Sequence, residues 1–327
     1  MTVANGVMSV LTSGGDAPGM NAAIRSVVRR ATHFGSRVLG VHRGYDGLMS
    51  GDFTELRPRS VSNILHRGGT ILKSARSSEF AEESGRRRAR GVLESHDIDT
   101  LIVIGGDGSF RGAHALGQLW EGQVVGVPAT IDNDVSGTDV TIGFDTALNT
   151  ALDAIDRIRD TASAHERLFL VEVMGRHSGF IALDVAVAGG AEDVLVPEVD
   201  TDLDACAERL VAARAKGKTM SIVVCAEGES QGGAFALAEE IRRRTGFDPR
   251  VTVLGHVQRG GSPSARDRVL ATKLGAYAVD VLHQGGANVR VGEVRGELVT
   301  SPLAPPPNGA KKQLDPFLLE LLPILAR

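Results

Sequence analysis

The sequence predicts an α/β protein with two lobes, each a mainly parallel sheet flanked by helices. Short aliphatic runs alternate along the chain with longer segments of helical periodicity, which is typical of parallel sheets. Polar or glycine-rich motifs follow the apolar runs repeatedly, and ligands bind beyond the carboxyl ends of strands in such sheets. A chain of 327 residues is also long enough for more than one core.

The first half of the chain begins with an apolar run that ends in a glycine-rich turn (TSGGD). Further apolar runs bounded by turn residues follow, so strands are predicted at 7–11, 38–41, 101–104 and 124–127. The intervening periodicity predicts helices at 20–30, 61–65, 79–95 and 147–159. Segment 79–95 is rich in Glu, Arg and Ala and is interpreted as an exposed helix whose arginines, 86–90, form a solvated face.

The second half continues the alternation. Strands are predicted at 168–173, 194–196, 221–225 and 251–254, and helices at 202–216, 234–244 and 264–283. A proline-rich linker at 301–310 leads to a terminal helix at 317–325. We predict a larger lobe from residues 1–143 and 257–304, and a smaller lobe from residues 144–256 and 305–327.

Composition excludes several classes of function. The net charge of −4 gives no global positive field for nucleic acid or an anionic membrane. The two cysteines, Cys206 and Cys225, imply neither a disulfide framework nor a zinc site. The sequence has no apolar stretch of membrane-spanning length and no signal-peptide pattern, so a soluble cytoplasmic enzyme is expected.

The motif at 105–109 (GGDGS) follows the predicted strand 101–104. Its glycines allow backbone N–H groups to approach phosphate oxygens closely. Asp107 supplies a hard oxygen ligand of the kind that Mg²⁺ prefers.

The motif at 130–134 (TIDND) carries the predicted chemistry. One carboxylate can take a proton from an attacking hydroxyl while its neighbours position a phosphoryl group. Beside the 105–109 motif, this indicates phosphoryl transfer to a hydroxyl, with Asp132 as the base. Asp134 is left open between a structural role and a role in orienting the base or metal-bound water, because Asp residues also form turns.

Together with other stretches of the chain, these motifs make the sequence resemble the bacterial 6-phosphofructokinases over about residues 7–299. The resemblance depends on the stretches 11–25 (LTSGGDAPGMNAAIR), 103–109 (VIGGDGS), 130–134 (TIDND), 171–176 (VEVMGR) and 252–263 (TVLGHVQRGGSP). It implies a phosphofructokinase-like fold, with ATP bound by the larger lobe and fructose 6-phosphate by the smaller one. It implies that Asp132 is the base for the sugar's 1-hydroxyl, Thr130 contacts the transferred phosphoryl group, and Arg176 stabilises its charge.

The resemblance also implies two binding sets. The ATP set is Gly15, Tyr45, Arg76, Ser77, Gly106, Asp107, Gly108, Ser109 and Gly112, with Asp107 as the Mg²⁺ ligand. The fructose 6-phosphate set is Thr130, Ile131, Asp132, Arg167, Met174, Gly175, Arg176, Glu227, Arg250, His256, Val257, Gln258 and Arg259. Arginines suit a sugar phosphate because the planar guanidinium matches phosphate geometry.

Assembly and regulation are implied as well. Arg167 and Arg250 match arginines that the family supplies from a neighbouring subunit, which implies a homotetramer with shared sites. The family's allosteric site falls on Arg25, Arg29, Arg159, Glu192, Lys216 and Lys218. Solvated helix faces are the alternative interpretation of these positions, and Thr219 and Met220 depart from the family's pattern.

The sequence favours ATP over pyrophosphate as donor. Pyrophosphate users of the family carry an Asp at the position of Gly108 and a Lys at that of Ala129, and this chain has neither. Three other functions stay open: pyrophosphate-dependent transfer to the same sugar, NAD or lipid kinase chemistry on a similar glycine motif, and a non-catalytic sugar-phosphate sensor.

Overall fold

The computed structural model describes residues 6–162, 167–228 and 232–326 and confirms the α/β class. The strands are β1 (Val7–Ser13), β2 (Arg37–Val41), β3 (Phe53–Glu55), β4 (Ile98–Gly105), β5 (Gln123–Pro128), β6 (Leu168–Val173), β7 (Asp193–Leu195), β8 (Ser221–Ala226), β9 (Arg250–Val253), β10 (Val289–Val294) and β11 (Glu297–Pro302). The α-helices are α1 (Met20–His33), α2 (Gly44–Ser50), α3 (Ser78–Ala81), α4 (Glu83–Ser95), α5 (Asp107–Gly117), α6 (Phe144–Ala162), α7 (Phe180–Ala188), α8 (Leu203–Ala215), α9 (Gly233–Thr245), α10 (Ala265–His283) and α11 (Pro316–Leu325). Two 3₁₀ turns, Gly255–Arg259 and Pro307–Gly309, complete the described elements.

The larger sheet has the strand order β11-β10-β5-β4-β1-β2-β3. Its inner strands pair in parallel, and its two edge strands, β3 and β11, are antiparallel to their neighbours. The central strands read as continuous apolar runs because both of their faces are covered; Leu101 and Ile102, neighbours in β4, are both fully buried.

The smaller sheet has the order β7-β8-β6-β9, and all of its pairs are parallel. Its core includes Leu170 from β6, Val223 from β8 and Leu237 from α9. Both cysteines are buried and unbridged in this region.

The chain divides into two compact units, one for each sheet. The first unit runs up to Thr146 and also includes Arg259–Lys312. The second consists of Ala147–Gln258 and the chain from Gln313 onward. The assignment of ATP to one lobe and fructose 6-phosphate to the other remains a prediction.

Two expectations about local structure are wrong. Residues 61–65 form turns and not a helix: Val61 and Ile64 are buried at helical spacing, but Asn63 between them has a left-handed backbone, φ 56°. The predicted helix 79–95 is broken at Glu82, which is extended. The Arg86 guanidinium donates to the carbonyls of Phe80 and Ala81 and so satisfies the end of the first segment.

Both sheets bring the predicted motifs to the carboxyl ends of neighbouring strands. In the first unit these are the turns after β1, β4 and β5. In the second unit they are the loops after β6, β8 and β9. No helix in the described part of the chain is long and apolar enough to cross a membrane.

Candidate active site

The turn after β4 requires glycine. A Cβ at Gly105 would lie 2.6 Å from the Ser13 carbonyl oxygen of the neighbouring strand, too close for any other residue. Gly106 then caps α5, which begins at Asp107. The N–H groups of the first turn of a helix have no helical partner and attract anions, so this end of α5 is suited to phosphate.

Asp107 lies at that helix end with its side chain a quarter exposed. Its Oδ2 forms an ion pair with Arg111, one turn further along α5. No group of three or more His, Cys, Asp or Glu is arranged to hold a metal within the described residues. A carboxylate at a phosphate site nevertheless fits Mg²⁺, which is held by one or two carboxylates together with substrate phosphates. A cation bound at Asp107 would compete with the Arg111 ion pair.

Helix α5 has open space at its first turn and is tightly packed one turn further along. A Cβ at Gly108 would meet nothing within 4 Å, whereas one at Gly112 would lie 3.1 Å from the Phe80 ring. The hydroxyl of Tyr45 donates to the Ser109 carbonyl at 2.6 Å, and its ring stacks on Phe80. Burial raises the pKa of the Tyr45 phenol. Tyr45 therefore supports α5 from within the core, and a contact with ATP stays a prediction.

The remaining predicted ATP residues lie in two loops. Gly15 follows β1, and a Cβ there would lie 2.5 Å from Nη1 of Arg259, which donates to the Asp16 carbonyl at 3.2 Å. Arg259, predicted to bind the sugar phosphate, thus lies against the glycine turn of the first unit. Ser77 caps α3 through a hydrogen bond from the Phe80 N–H, and Arg76 beside it is exposed.

The 130–134 motif follows β5, against the turn that opens α5. A Cβ at Gly106 would lie 3.4 Å from the Thr130 Cβ, so the glycine turn before α5 and the 130–134 motif lie next to each other. Thr130 and Asp132 are 8% and 7% exposed, and Ile131 is fully buried. Thr130 Oγ1 accepts the Asp132 N–H at 3.2 Å. This leaves the hydroxyl proton of Thr130 available to a ligand oxygen.

Asn133 organises this motif, a role that sequence reasoning missed. It has a left-handed backbone, φ 51°, and its side-chain oxygen accepts the Thr141 N–H at 3.1 Å. The Thr141 hydroxyl in turn donates to the Thr130 carbonyl at 2.6 Å. Asn and Asp tolerate this backbone better than other non-glycine residues, which is the one sequence signal that was present.

Asp267 is a second residue missed by sequence reasoning. It is fully buried at the start of α10 and accepts hydrogen bonds from the N–H groups of Gly143 and Thr146 at 2.9 and 2.8 Å. Burial raises the pKa of this carboxyl, and the hydrogen bonds oppose that rise. It fixes residues 143–146 just before the chain leaves the first unit.

In the second unit, the loop after β6 carries Met174, Gly175 and Arg176. Gly175 has φ 143° and a Cβ there would lie 2.4 Å from the Ser178 carbonyl oxygen, so glycine is required. Arg176 is exposed with a left-handed backbone, φ 57°, and its N–H donates to Glu227 Oε1 at 2.7 Å. Glu227 follows β8, so these two predicted sugar-binding residues are neighbours.

The 3₁₀ turn after β9 completes this end of the smaller sheet. Gln258 is fully buried, and its Oε1 accepts the Met174 N–H at 2.8 Å. Gln258 therefore stabilises the loop that carries Arg176 through its hydrogen bond to Met174. His256 and Val257, in the same 3₁₀ turn, are exposed. Arg167 and Arg250 lie at the amino ends of β6 and β9, away from this loop cluster, and both are exposed. The Arg250 guanidinium lies 3.3 Å from the Asp248 carboxylate in a weak ion pair.

Three of the predicted allosteric residues have local partners, and all three lie in the second unit. Glu192 is buried and forms an ion pair with Lys218 at 2.6 Å, and Arg159 donates to the Gly190 carbonyl at 2.7 Å. Lys216 is exposed after α8; on α1, Arg25 is half-buried and Arg29 exposed. These contacts give Arg159, Glu192 and Lys218 structural roles, and effector binding stays a prediction.

A helix N-terminus suited to phosphate, next to a motif that holds a buried carboxylate, is an arrangement that suits phosphoryl transfer. The family model described as Phosphofructokinase matches residues 7–282, and the chain belongs to that family. The resemblance inferred from the sequence motifs is thereby confirmed.

Named relatives are similar over nearly the whole chain. The chain is 56% identical to "ATP-dependent 6-phosphofructokinase 1" of Thermus thermophilus, covering 98% of this chain and 99% of that protein. It is 54% identical to "ATP-dependent 6-phosphofructokinase" of Clostridioides difficile, covering 89% and 91% of the two chains.

Solved structures share the fold. Phosphofructokinase from Saccharomyces cerevisiae superposes with a TM-score of 0.87 at 37% identity, over 91% of this chain. The chain spans 45% of that longer yeast chain. A pyrophosphate-dependent phosphofructokinase from Marinobacter aquaeolei has a TM-score of 0.83 at 24% identity, over 97% of this chain and 91% of that one, which is a likeness of fold alone.

Proposed function

We propose that the protein transfers the γ-phosphoryl group of ATP to the 1-hydroxyl of D-fructose 6-phosphate, giving fructose 1,6-bisphosphate and ADP, the committing step of glycolysis. The observation that carries the proposal is the contact between the Gly106 turn and Thr130. Asp132 is buried two residues after Thr130, and the helix end that Gly106 caps is suited to an anion, which supports the proposal.

Asp132 takes the proton of the sugar's 1-hydroxyl as that oxygen bonds to the γ-phosphorus. The bond from phosphorus to the bridging oxygen breaks, and ADP leaves with that oxygen. The Thr130 hydroxyl, whose oxygen already accepts the Asp132 N–H, donates to an oxygen of the moving group. Arg176 spreads positive charge over the same oxygens in the transition state. A Mg²⁺ ion held at Asp107 would neutralise phosphate charge when bound.

Arg176, Glu227, Met174 and Gly175 bind the sugar phosphate in this proposal, together with His256, Val257, Gln258 and Arg259. Their placement on the loops after β6 and β8 and on the 3₁₀ turn after β9 supports this, because ligands bind at the carboxyl ends of parallel strands. Arg167 and Arg250 complete the site from a neighbouring subunit of a homotetramer. The tetramer, the Mg²⁺ ion and a cytoplasmic location stay predictions.

ATP is the favoured donor. The open space around Gly108 accommodates the nucleotide's phosphates, which a carboxylate at this position would repel. The relatives at 54–56% identity are named as ATP-dependent, and the solved structures named as pyrophosphate-dependent are 23–24% identical.

One assay separates the candidates. Purified protein is given fructose 6-phosphate and Mg²⁺ with either ATP or pyrophosphate, and fructose 1,6-bisphosphate is measured. ATP-dependent product supports the proposal, and product with pyrophosphate alone supports the other donor. Sugar binding without product from either donor supports the sensor.

A further inference from the structure

The side chain of Lys312 lies against the loop that follows the catalytic motif. Its Nζ donates to Asn133 Oδ1 at 3.0 Å and to the Asp139 carbonyl at 2.6 Å. Lys312 follows the proline-rich segment near the C-terminus, to which the sequence motifs assign no role.

Asn133 links this lysine to the reacting groups. It is 5% exposed and directly follows Asp132. Its Oδ1 accepts from both Lys312 Nζ and the Thr141 N–H, and the Thr141 hydroxyl holds the Thr130 carbonyl. A chain of hydrogen bonds therefore connects Lys312 through Asn133 and Thr141 to Thr130. Asp132 lies in sequence between Thr130 and Asn133, the two residues of the motif that these bonds hold.

The rest of the loop is held by the hairpin of β10 and β11. The Asp139 N–H donates to the Glu293 carbonyl at 2.9 Å, and the Glu293 N–H donates to Thr138 Oγ1 at 3.1 Å. These bonds fix residues 138–139. Lys312 adds a hydrogen bond to the side chain of Asn133 itself. Hydrogen bonds from an ammonium group are stronger than those between neutral groups, especially where water is largely excluded.

We infer that Lys312 is a positioning residue that acts through Asn133 to keep Thr130 and Asp132 in their reactive geometry. The inference rests on the proposed role of Asp132 as the base. It assigns the segment before α11 a part in catalysis, exerted through another residue and without contact with substrate.

The test compares Lys312→Met with Lys311→Met. Both variants lose one positive charge at neighbouring positions, but Lys311 is exposed and forms no hydrogen bond or ion pair with the described residues. We expect Lys312→Met to lower kcat roughly 10- to 100-fold, the range in which slight misplacement of reacting groups acts. The KM for ATP and the Tm should stay close to those of Lys311→Met. Lys312→Arg, which keeps a cationic donor, should recover most of kcat.

A double-mutant cycle tests whether Asn133 transmits the effect. Asn133→Gly removes the side-chain acceptor and tolerates the positive φ. If Lys312 acts through Asn133, adding Lys312→Met to Asn133→Gly should cost little further kcat. Additive losses, or a kcat of Lys312→Met equal to that of Lys311→Met, would overturn the inference.

Two further outcomes keep the test decisive. If Asn133→Gly does not fold, the role of Lys312 is decided by comparing kcat for Lys312→Met, Lys312→Arg and Lys311→Met. Full activity of Asp132→Asn would refute the proposed role of Asp132 as the base. The double-mutant cycle could still be interpreted, because it measures only the coupling between Lys312 and Asn133. Additive losses beside an inactive Asp132→Asn would refute only the role of Lys312.

Discussion

The backbone N–H of Arg176 donates to Oε1 of Glu227 at 2.7 Å. The bond fixes a residue with a left-handed backbone, so the Glu227 carboxylate helps to set the path of the loop that presents the Arg176 guanidinium. The family resemblance predicted that Glu227 binds fructose 6-phosphate, and the structure adds this second, local role.

Replacing Glu227 should separate these roles. Glu227→Gln keeps an oxygen for the Arg176 N–H, so kcat should fall little while the KM for fructose 6-phosphate rises. Glu227→Ala removes the acceptor as well and should lower kcat and kcat/KM together. Steady-state kinetics with fructose 6-phosphate varied at saturating ATP measure both. Equal kinetics for Gln and Ala would contradict a loop-setting role.

Asp132→Asn should lower kcat strongly and leave the binding of both substrates close to normal. The amide keeps the shape of the carboxylate but cannot accept the proton, and general-base contributions are roughly 10²- to 10⁴-fold. Turnover and substrate affinity are measured separately, with the exposed Asp99→Asn as the matched control. Near wild-type turnover would show that Asp132 is not the base.

Arg250→Ala should raise the KM for fructose 6-phosphate far more than that for ATP. In the proposed site the substitution removes a charge-assisted contact to the sugar phosphate, worth about 1.5–3 kcal/mol. Arg242→Ala is the matched control, because Arg242 is also exposed and also pairs with Asp248. An equal rise for both substrates would indicate a general folding or assembly defect.

Mixed assemblies test whether sites are shared between subunits. Arg250→Ala and Asp132→Asn subunits are unfolded together, refolded and checked for mixing. If Arg250 serves a neighbouring subunit's site, some sites in the mixture regain both residues and activity returns. Lack of recovery in verified mixtures would mean that Arg250 acts within its own subunit.

Gly108→Asp should weaken ATP use selectively. The new Cβ meets no protein atom within 4 Å, so the fold tolerates it, but in the proposed site the carboxylate would repel the nucleotide's phosphates. The KM for ATP should rise at saturating fructose 6-phosphate, and use of pyrophosphate should suffer less. Gly91→Asp is the control, since its Cβ also lies in open space on a helix. An unchanged KM for ATP would mean that position 108 does not face the nucleotide.

Much of the fold was predictable because it depends on local patterns. Apolar runs such as 101–104 and 221–225 are strands because parallel sheets bury both of their faces, and their glycine-rich ends follow from the close approach of backbones. Short or irregular elements were missed, including α2, α7 and the hairpin of β10 and β11. Phe180–Ala188, for example, is apolar apart from Asp184 and lacks the two-sided pattern of a surface helix.

The α/β class, the family and the motifs of the predicted chemistry could all be read from the order of residues, because they depend on residue types at short spacing along the chain. The supports of the site could not. Gln258 holds the Met174 loop, Asp267 fixes residues 143–146, and Lys312 reaches Asn133, and the partners in these pairs are 84, 124 and 179 residues apart. Such contacts depend on how the whole chain folds, since buried polar groups must find hydrogen-bond partners wherever folding brings them.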